Sequence, residues 1–326
     1  MVKKAIIKSS TFETQMLNRF SKHIQTKLPY LQGKKLLIAI SGGIDSVVLT
    51  HLLHQLKFNI SLAHCNFQLR GKESDLDEEF VEKLGKKLQA KTLISTFNID
   101  SKSSIQLAAR EARYLWFEEL VEEKHFDFIL TAHHANDNLE TFLINLTRGS
   151  GIDGFTGIPE KNGNIVRPLL PFTSKEINSF AKENNIDWRE DKSNATTKYV
   201  RNKIRHKVMP VLEEINPNLL ETFSKSIENL KESKQIIRDR IEDISTKSTT
   251  IDSSTAQEVL KFNITKVQKL SNPKAYLYQL LKEYNFTEFN DIFNLLSAQS
   301  GKQIFSNSHV LLKDRDYLIL SKRNVS

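Results

Sequence analysis

Six consecutive residues, Ser41-Gly42-Gly43-Ile44-Asp45-Ser46, have the composition of an anion cradle. Paired glycines let a backbone approach a ligand closely, and the two serines add hydroxyls beside them. An apolar run, Leu36–Ile40, precedes the turn. After it, Leu49, Leu52, Leu53 and Leu56 recur at helical spacing, so the turn joins a buried strand to a helix. The start of that helix presents free N–H groups and partial positive charge, which suits phosphate. The competing reading is an ordinary strand-to-helix turn capped by Asp45. Two hydroxyls and a carboxylate around the glycines favour phosphate. Neither a Gly-x-x-x-x-Gly-Lys-Ser/Thr loop nor a Gly-x-Gly-x-x-Gly turn is present at this point.

A second group, His133, His134, Asp137 and Glu140, opens a helix after another buried strand. His133, Asp137 and Glu140 share one face at spacings of four and three. Such a face could hold a metal, grip an amine, or meet a Mg²⁺ bound to phosphate. Alternatively it only caps and decorates the helix. A third group, Gln106, Arg110 and Arg113, forms a polar stripe opposite Leu107, Ala108, Ala112 and Leu115. Arginines there would neutralise phosphate, or would pair with Glu111 and Glu118 at the surface. Cys65, Trp116 and Trp188 read as packing residues.

The elements that must position these groups alternate. A helix over 12–28 precedes the first strand. Strands then follow at Phe58–Cys65, Thr92–Phe97 and Phe126–Thr131, with helices over 73–90, 103–123 and 135–147. This order predicts an α/β fold with a parallel, Rossmann-like sheet, whose ligands sit beyond the carboxyl ends of the strands. Four of the 11 glycines fall in 148–157, a loop. Arg167–Pro171 reads as extended, and Ser174 as the cap of a short helix carrying Ile177 and Phe180. Between Asp191 and Glu213 lie Lys192, Lys198, Arg201, Lys203, Arg205 and Lys207 with no acid, a composition that favours nucleic acid over a plain solvated face. The net charge of +8 agrees. Between Pro217 and Pro273 there is neither Gly nor Pro, which predicts a long helix or helical pair leading to a second, mainly helical α+β domain with a strand pair at Gln303–Phe305 and Val310–Leu312, before Tyr317–Leu320. The expected division is 1–215 and 216–326. One cysteine excludes an internal disulfide and an all-cysteine metal site. With no apolar run of membrane length and too short an apolar stretch after Met1 for a secretory signal, the expectation is a cytoplasmic protein with no membrane partner. A homodimer stays open.

Taken together, these motifs resemble a known family. Ser41–Ser46 matches the Ser-Gly-Gly-x-Asp-Ser signature of the PP-loop ATP pyrophosphatases. His64-Cys65-Asn66, Leu69-Arg70-Gly71, Ala108–Tyr114, Ala132–Thr141, Arg148-Gly149-Ser150-Gly151, Arg167-Pro168-Leu169-Leu170, Asp191-x-Ser193-Asn194 and Arg201-Asn202-x-x-Arg205 follow in the order found in the tRNA(Ile)-lysidine synthetases. The similarity is strong over 34–215 and loose beyond. It implies ATP and Mg²⁺, L-lysine, and a tRNA(Ile) with a CAU anticodon. Carbon 2 of the wobble cytidine would be adenylated and AMP then displaced by the lysine ε-amine.

By the same resemblance Ser41, Gly42, Gly43, Ile44, Asp45 and Ser46 hold the triphosphate, with Asp45 near the metal and Ser46 on the pyrophosphate. Arg110 and Arg113 would steady phosphates, and Asp137 and Glu140 would bind lysine or Mg²⁺. His133 would assist proton transfer. Arg148, the loop 149–157, Arg201, Asn202 and Arg205 would meet the tRNA. Two positions depart from the family pattern: Phe67 stands where a second histidine is usual, and Gln106 where glutamate is. The chain ends soon after Leu320, as in short members or a truncated one. The competing functions are tRNA thiolation, which a lone Cys65 disfavours, and tRNA binding with ATP as a structural ligand.

Overall fold

A computed structural model describes residues 2–99, 105–190, 200–252 and 259–323, and the side chains within them except those of 2–14, 106 and 247–252. The chain divides into two compact units, 1–230 and 231–326.

The first unit is built on β1 (Lys35–Ala39), the expected apolar run. Leu36, Leu37 and Ile38 are all fully buried. Burial of successive residues means both faces of the strand are covered, as in parallel sheets flanked by helices. The other strands are β2 (Asn59–Asn66), β3 (Lys91–Thr96), β4 (Phe128–Leu130), β5 (Lys161–Asn162) and β6 (Ile165–Val166). The sheet order is β3-β2-β1-β4-β6-β5, parallel except for the β5–β6 hairpin. The chain moves outward from β1 through β2 to β3, then returns to β4 on the other side of β1. The order therefore reverses between β1 and β4, and a crevice opens beyond their carboxyl ends.

Helices α1 (Val2–Lys27), α2 (Ile44–Gln55), α3 (Lys72–Lys87), α4 (Ile105–Lys124), α5 (Ala135–Thr147), α6 (Ile152–Phe155) and α7 (Ser174–Glu183) complete the α/β layers. On one face of the sheet Phe20, Ile24, Leu49, Leu52, Phe172 and Phe180 pack over Leu36 and Ile38. On the other, Phe117, Leu120 and Phe126 of the α4–β4 region cover Leu37, Ala63 and Ile129.

Three local expectations differ from what forms. The buried face of α4 carries Ala109, Phe117 and Leu120, whereas Leu107 and Leu115 are 53% and 61% exposed. The larger aromatic surface of Phe117 takes the sheet side, because burial scales with apolar area. Thr173, not Ser174, caps α7. Its Oγ1 accepts the Glu176 N–H at 3.2 Å, and Glu176 Oε2 accepts the Thr173 N–H at 2.7 Å, a reciprocal capping box. Arg167–Pro171 is not extended but turned, with the Leu170 N–H donating to the Arg167 carbonyl at 3.2 Å.

After residues 191–199, α8 (Val200–Lys203) runs through a π-helical turn at Ile204–Val208 into α9 (Met209–Ile215), and α10 (Leu219–Ser248) follows as the long helix expected from the absence of Gly and Pro. The second unit holds α11 (Ile264–Gln268), α12 (Pro273–Leu281) and α13 (Phe289–Asn294). Its antiparallel sheet has the order β7-β8-β11-β10-β9. Those strands are β7 (Thr249–Asp252), β8 (Val259–Asn263), β9 (Gln303–Phe305), β10 (His309–Asp314) and β11 (Tyr317–Lys322). β7 and β8 occupy sequence expected to be helical. The β-branched Thr249-Thr250-Ile251 run favours strand, and β11 supplies β8 with an antiparallel partner. Among the described residues no helix is long and apolar enough to cross a membrane.

Candidate active site

The turn after β1 is shaped by its own small residues. Gly42 has φ +88°, a left-handed backbone that other residues adopt only under strain. The Ser46 hydroxyl donates to the Gly43 carbonyl at 2.9 Å, the Ser41 N–H donates to Ser46 Oγ at 3.2 Å, and the Gly43 N–H donates to Ser41 Oγ at 3.2 Å. Gly43 is the N-cap of α2 and brings no side chain to its first N–H groups. Gly43, Ile44, Asp45 and Ser46 line the crevice, so the turn can wrap an anion. From outside, the Arg189 N–H donates to the Gly42 carbonyl at 2.9 Å. The Arg189 guanidinium meanwhile donates to Asp77 at 2.9 Å and Glu73 at 2.7 Å. Residues 186–190 thus strap the turn to α3.

The crevice is a cavity of about 970 Å³, lined by Ser41, Gly43–Ser46, Arg110, Arg113, Thr131, His133, Asp137 and Arg201 among others. Phosphate-turn residues, both arginines of α4 and two members of the α5 group therefore meet in one space. Ordinary surface pairing of Arg110 and Arg113 is not what forms: among the described residues neither has an ion pair, and their guanidiniums lie over aromatic rings.

His134, whose spacing in the sequence assigns it no role, connects the groups. It is 5% exposed, and its Nε2 lies 3.7 Å from Asp45 Oδ2 and 3.5 Å from Asp137 Oδ2. Its backbone N–H donates to Asp137 Oδ2 at 3.1 Å. Burial raises the Asp45 pKa above its ordinary value, and Asp137 pushes the same way while His134 and Arg205 oppose it. Asp137 is held below the ordinary range although burial opposes this, because His134 and His133 favour its charge. His133 accepts or donates a hydrogen bond with Thr131 Oγ1 at 3.0 Å. Burial lowers its pKa to about 4, and Arg167, Arg201 and Arg110 add to the effect against Asp137. It is a neutral imidazole at neutral pH.

Glu140 is 1% exposed. A carboxylate so placed needs a fixed cation. Arg205 supplies it as a fork, Nε to Oε1 at 2.6 Å and Nη2 to Oε2 at 3.1 Å, with Nη2 also reaching Asp137 Oδ1 at 3.2 Å. Arg201 Nε lies 3.5 Å from Glu140, and its Nη2 donates to Thr141 Oγ1 at 2.8 Å. Arg201 and Arg205, the two arginines expected to meet the tRNA, turn their guanidiniums onto α5, where a buried acid holds them. Asn202 lies between them on α8, and Arg148 is an exposed C-cap of α5. Asp191, Lys192, Ser193, Asn194 and Lys198 lie outside the described residues.

The donor set fits a triphosphate: a left-handed glycine turn, a helix start with no N-cap side chain, two hydroxyls and two arginines without an ion pair among the described residues. No group of three His, Cys, Asp or Glu side chains arranged for a metal occurs among the described residues. Cys65 has its pKa pushed up to about 12, chiefly by burial, and is a neutral thiol.

Comparison with known proteins accords with this geometry. Residues 10–212 match the PP-loop domain, and 255–323 match the TilS substrate binding domain. The first unit is thus that of a PP-loop ATP-using protein. A tRNA(Ile)-lysidine synthase of Porphyromonas gingivalis is 38% identical over 312 residues, covering 93% of this chain and 67% of that protein. One of Bacteroides thetaiotaomicron is 37% identical over 309 residues, covering 93% and 71%. The chain belongs to the tRNA(Ile)-lysidine synthase family. In fold, it is similar to a U34-tRNA thiolase of Methanococcus maripaludis, with TM-score 0.57 and 17% identity over 69% of this chain and 80% of that one.

Two outcomes follow from the electrostatics. Arg205→Ala should destabilise the protein by about 2–3 kcal/mol in urea denaturation, less than the ~3–5 of a fully broken buried pair because Arg201 remains near Glu140. Adding Glu140→Gln should recover part of that loss, and no recovery would mean the buried charge is not the cause. His133 has a folded pKa of about 4 against an ordinary 6.5. Below 6.5 the unfolded chain binds a proton that the folded one refuses, so stability present above 6.5 is lost progressively as pH falls towards 4. His133→Asn should flatten that slope in denaturant titrations, and an unchanged slope would refute the assignment.

Proposed function

We propose that this chain uses ATP to join L-lysine to carbon 2 of the wobble cytidine in a tRNA(Ile) with a CAU anticodon, giving lysidine, AMP and pyrophosphate. The observation that carries the reading is His134, which places Asp45 of the phosphate turn and Asp137 of the carboxylate pair at 3.7 and 3.5 Å from one imidazole nitrogen. Activation and capture of an amine then share one cavity.

In this reading the cytidine O2 attacks the α-phosphorus and the bond to pyrophosphate breaks. Ser41, Ser46 and the N–H groups of α2 hold the departing pyrophosphate, and Arg110 and Arg113 neutralise charge that grows in the transition state. A Mg²⁺ at Asp45 would supply further neutralisation. The lysine ε-amine then attacks carbon 2, and AMP leaves with the former O2. Asp137 accepts the ammonium: a carboxylate has about four acceptor sites, and Arg205 and His134 use only part of them. Glu140 orients Arg205 and through it Asp137. The neutral imidazole of His133 is a weak base, suited to accepting a hydrogen bond from the amine and passing its proton on. Residues 255–323, alike to a substrate-binding domain, and the 149–157 loop are the surfaces proposed for tRNA. The division of labour proposed is catalysis by residues 1–215, to which the 149–157 loop adds tRNA contact, and further tRNA contact by 216–326.

Thiolation is disfavoured by chemistry. The thiolase of similar fold is described with a [4Fe-4S] cluster. This sequence has one cysteine, its thiol held neutral by burial, and such clusters take several thiolates.

Purified protein with ATP, labelled lysine and a CAU-anticodon transcript should incorporate lysine, and changing the wobble C to U should abolish incorporation. Incorporation indifferent to that base, or sulfur transfer in its place, would overturn the reading.

A further inference from the structure

The arginines in and around the cavity are of two kinds. Arg201 on one wall, and Arg205 behind it, are spent on Glu140 and Asp137. On α4 the pattern is reversed. Arg110 lies with its Cζ 4.9 Å from the Tyr114 ring centre, and Arg113 with its Cζ 5.4 Å from that of Phe67. Among the described residues neither makes an ion pair with a carboxylate. Tyr114 sits four residues after Arg110, so that contact follows from helical spacing. The contact of Arg113 with Phe67 crosses from α4 to the residue just after β2, and needs its own explanation.

Phe67 is held from both directions. Asn66 Oδ1 accepts the Gln68 N–H at 2.9 Å, and Asn66 Nδ2 donates to Glu78 Oε2 at 2.8 Å. The Phe97 N–H donates to the Asn66 carbonyl at 2.8 Å. The Phe67 ring stacks on Phe97, with centres 5.3 Å apart and planes at 29°, and Phe97 meets Trp116 edge-on at 6.0 Å. Trp116 belongs to α4, so the aromatic chain closes back on the helix that carries Arg113. Arg113 also neighbours His64 and the thiol of Cys65, which is neutral.

A guanidinium can be fixed by a carboxylate, which cancels its charge, or by a ring face, which orients it and leaves the charge available. We infer that Phe67, backed by Phe97 and Trp116, is a positioning residue that aims Arg113 at the triphosphate while leaving its positive charge uncompensated. The proposal rests on the reading of this cavity as the ATP site. An exposed arginine without such a platform would lose several rotatable bonds on meeting phosphate. The ring removes part of that entropy beforehand.

The test is a double-mutant cycle on tRNA-dependent pyrophosphate release in the full chain. Phe67→Leu should raise KM for ATP or lower kcat by about fivefold, in the range expected of one cation–π contact. In an Arg113→Met background the same change should add less than about twofold, because the partner is gone. A trifluorinated phenylalanine at 67 keeps shape and packing but weakens the ring face, and should reproduce most of the Phe67→Leu effect. Phe67→Tyr should behave as wild type. Equal losses from Phe67→Leu in both backgrounds, or wild-type rates with the fluorinated ring, would overturn the role of Phe67 and leave the ATP site intact. Wild-type rates in Arg113→Met alone would instead overturn the placement of Arg113 at the triphosphate, and this proposal with it.

Discussion

Glu140 is a carboxylate taken almost wholly out of water, and much of the site follows from compensating it. Its desolvation has to be matched by a fixed cation with good geometry, or the charge is lost. Arg205 meets that need with a two-pronged contact, reaches Asp137 with the same guanidinium, and draws the α8–α9 segment onto α5. Asp137 in turn accepts the His134 N–H at the start of α5, so its orientation is fixed at both oxygens. His134 then stands between Asp137 and Asp45. A single buried acid thereby aligns three carboxylates, two arginines and the phosphate turn.

The two walls of the cavity manage charge in opposite ways. On the α5 side, positive and negative groups are matched, and the carboxylates are held in place by their partners. On the α4 side, the arginines rest on aromatic rings and keep their charge for a ligand. A polyanion entering between them meets attraction from α4 and from the α2 N-terminus. The reversal of strand order between β1 and β4 brings these walls together, since the phosphate turn leaves β1 and the His133–Glu140 group leaves β4.

Much of this was legible in the sequence because it is local. The Ser41–Ser46 turn, the apolar β1 run and the spacing of His133, Asp137 and Glu140 each depend on residues within one strand and one helix. What was misread depended on competition between distant parts. The stripe on α4 gave two apolar faces, and Phe117 rather than Leu107 or Leu115 took the sheet because its surface is larger. The run of basic residues around Arg201 and Arg205 does not reveal that a buried Glu140 lies within reach of both arginines. His134 was passed over because its role comes from pairing α5 with the turn after β1, which no spacing within either motif reveals. β7 and β8 lacked the Gly or Pro that would have ended a helix, and their pairing partner lies at Tyr317–Lys322.

The central claim is that one cavity first transfers AMP to the nucleobase and then exchanges it for lysine. The direct measurement follows the α-phosphate. With ATP labelled at that position, the CAU transcript and no lysine, the account predicts label bound covalently to the RNA, and its release as AMP when lysine is added. Label that never reaches the RNA, or that stays there in the presence of lysine, would contradict it.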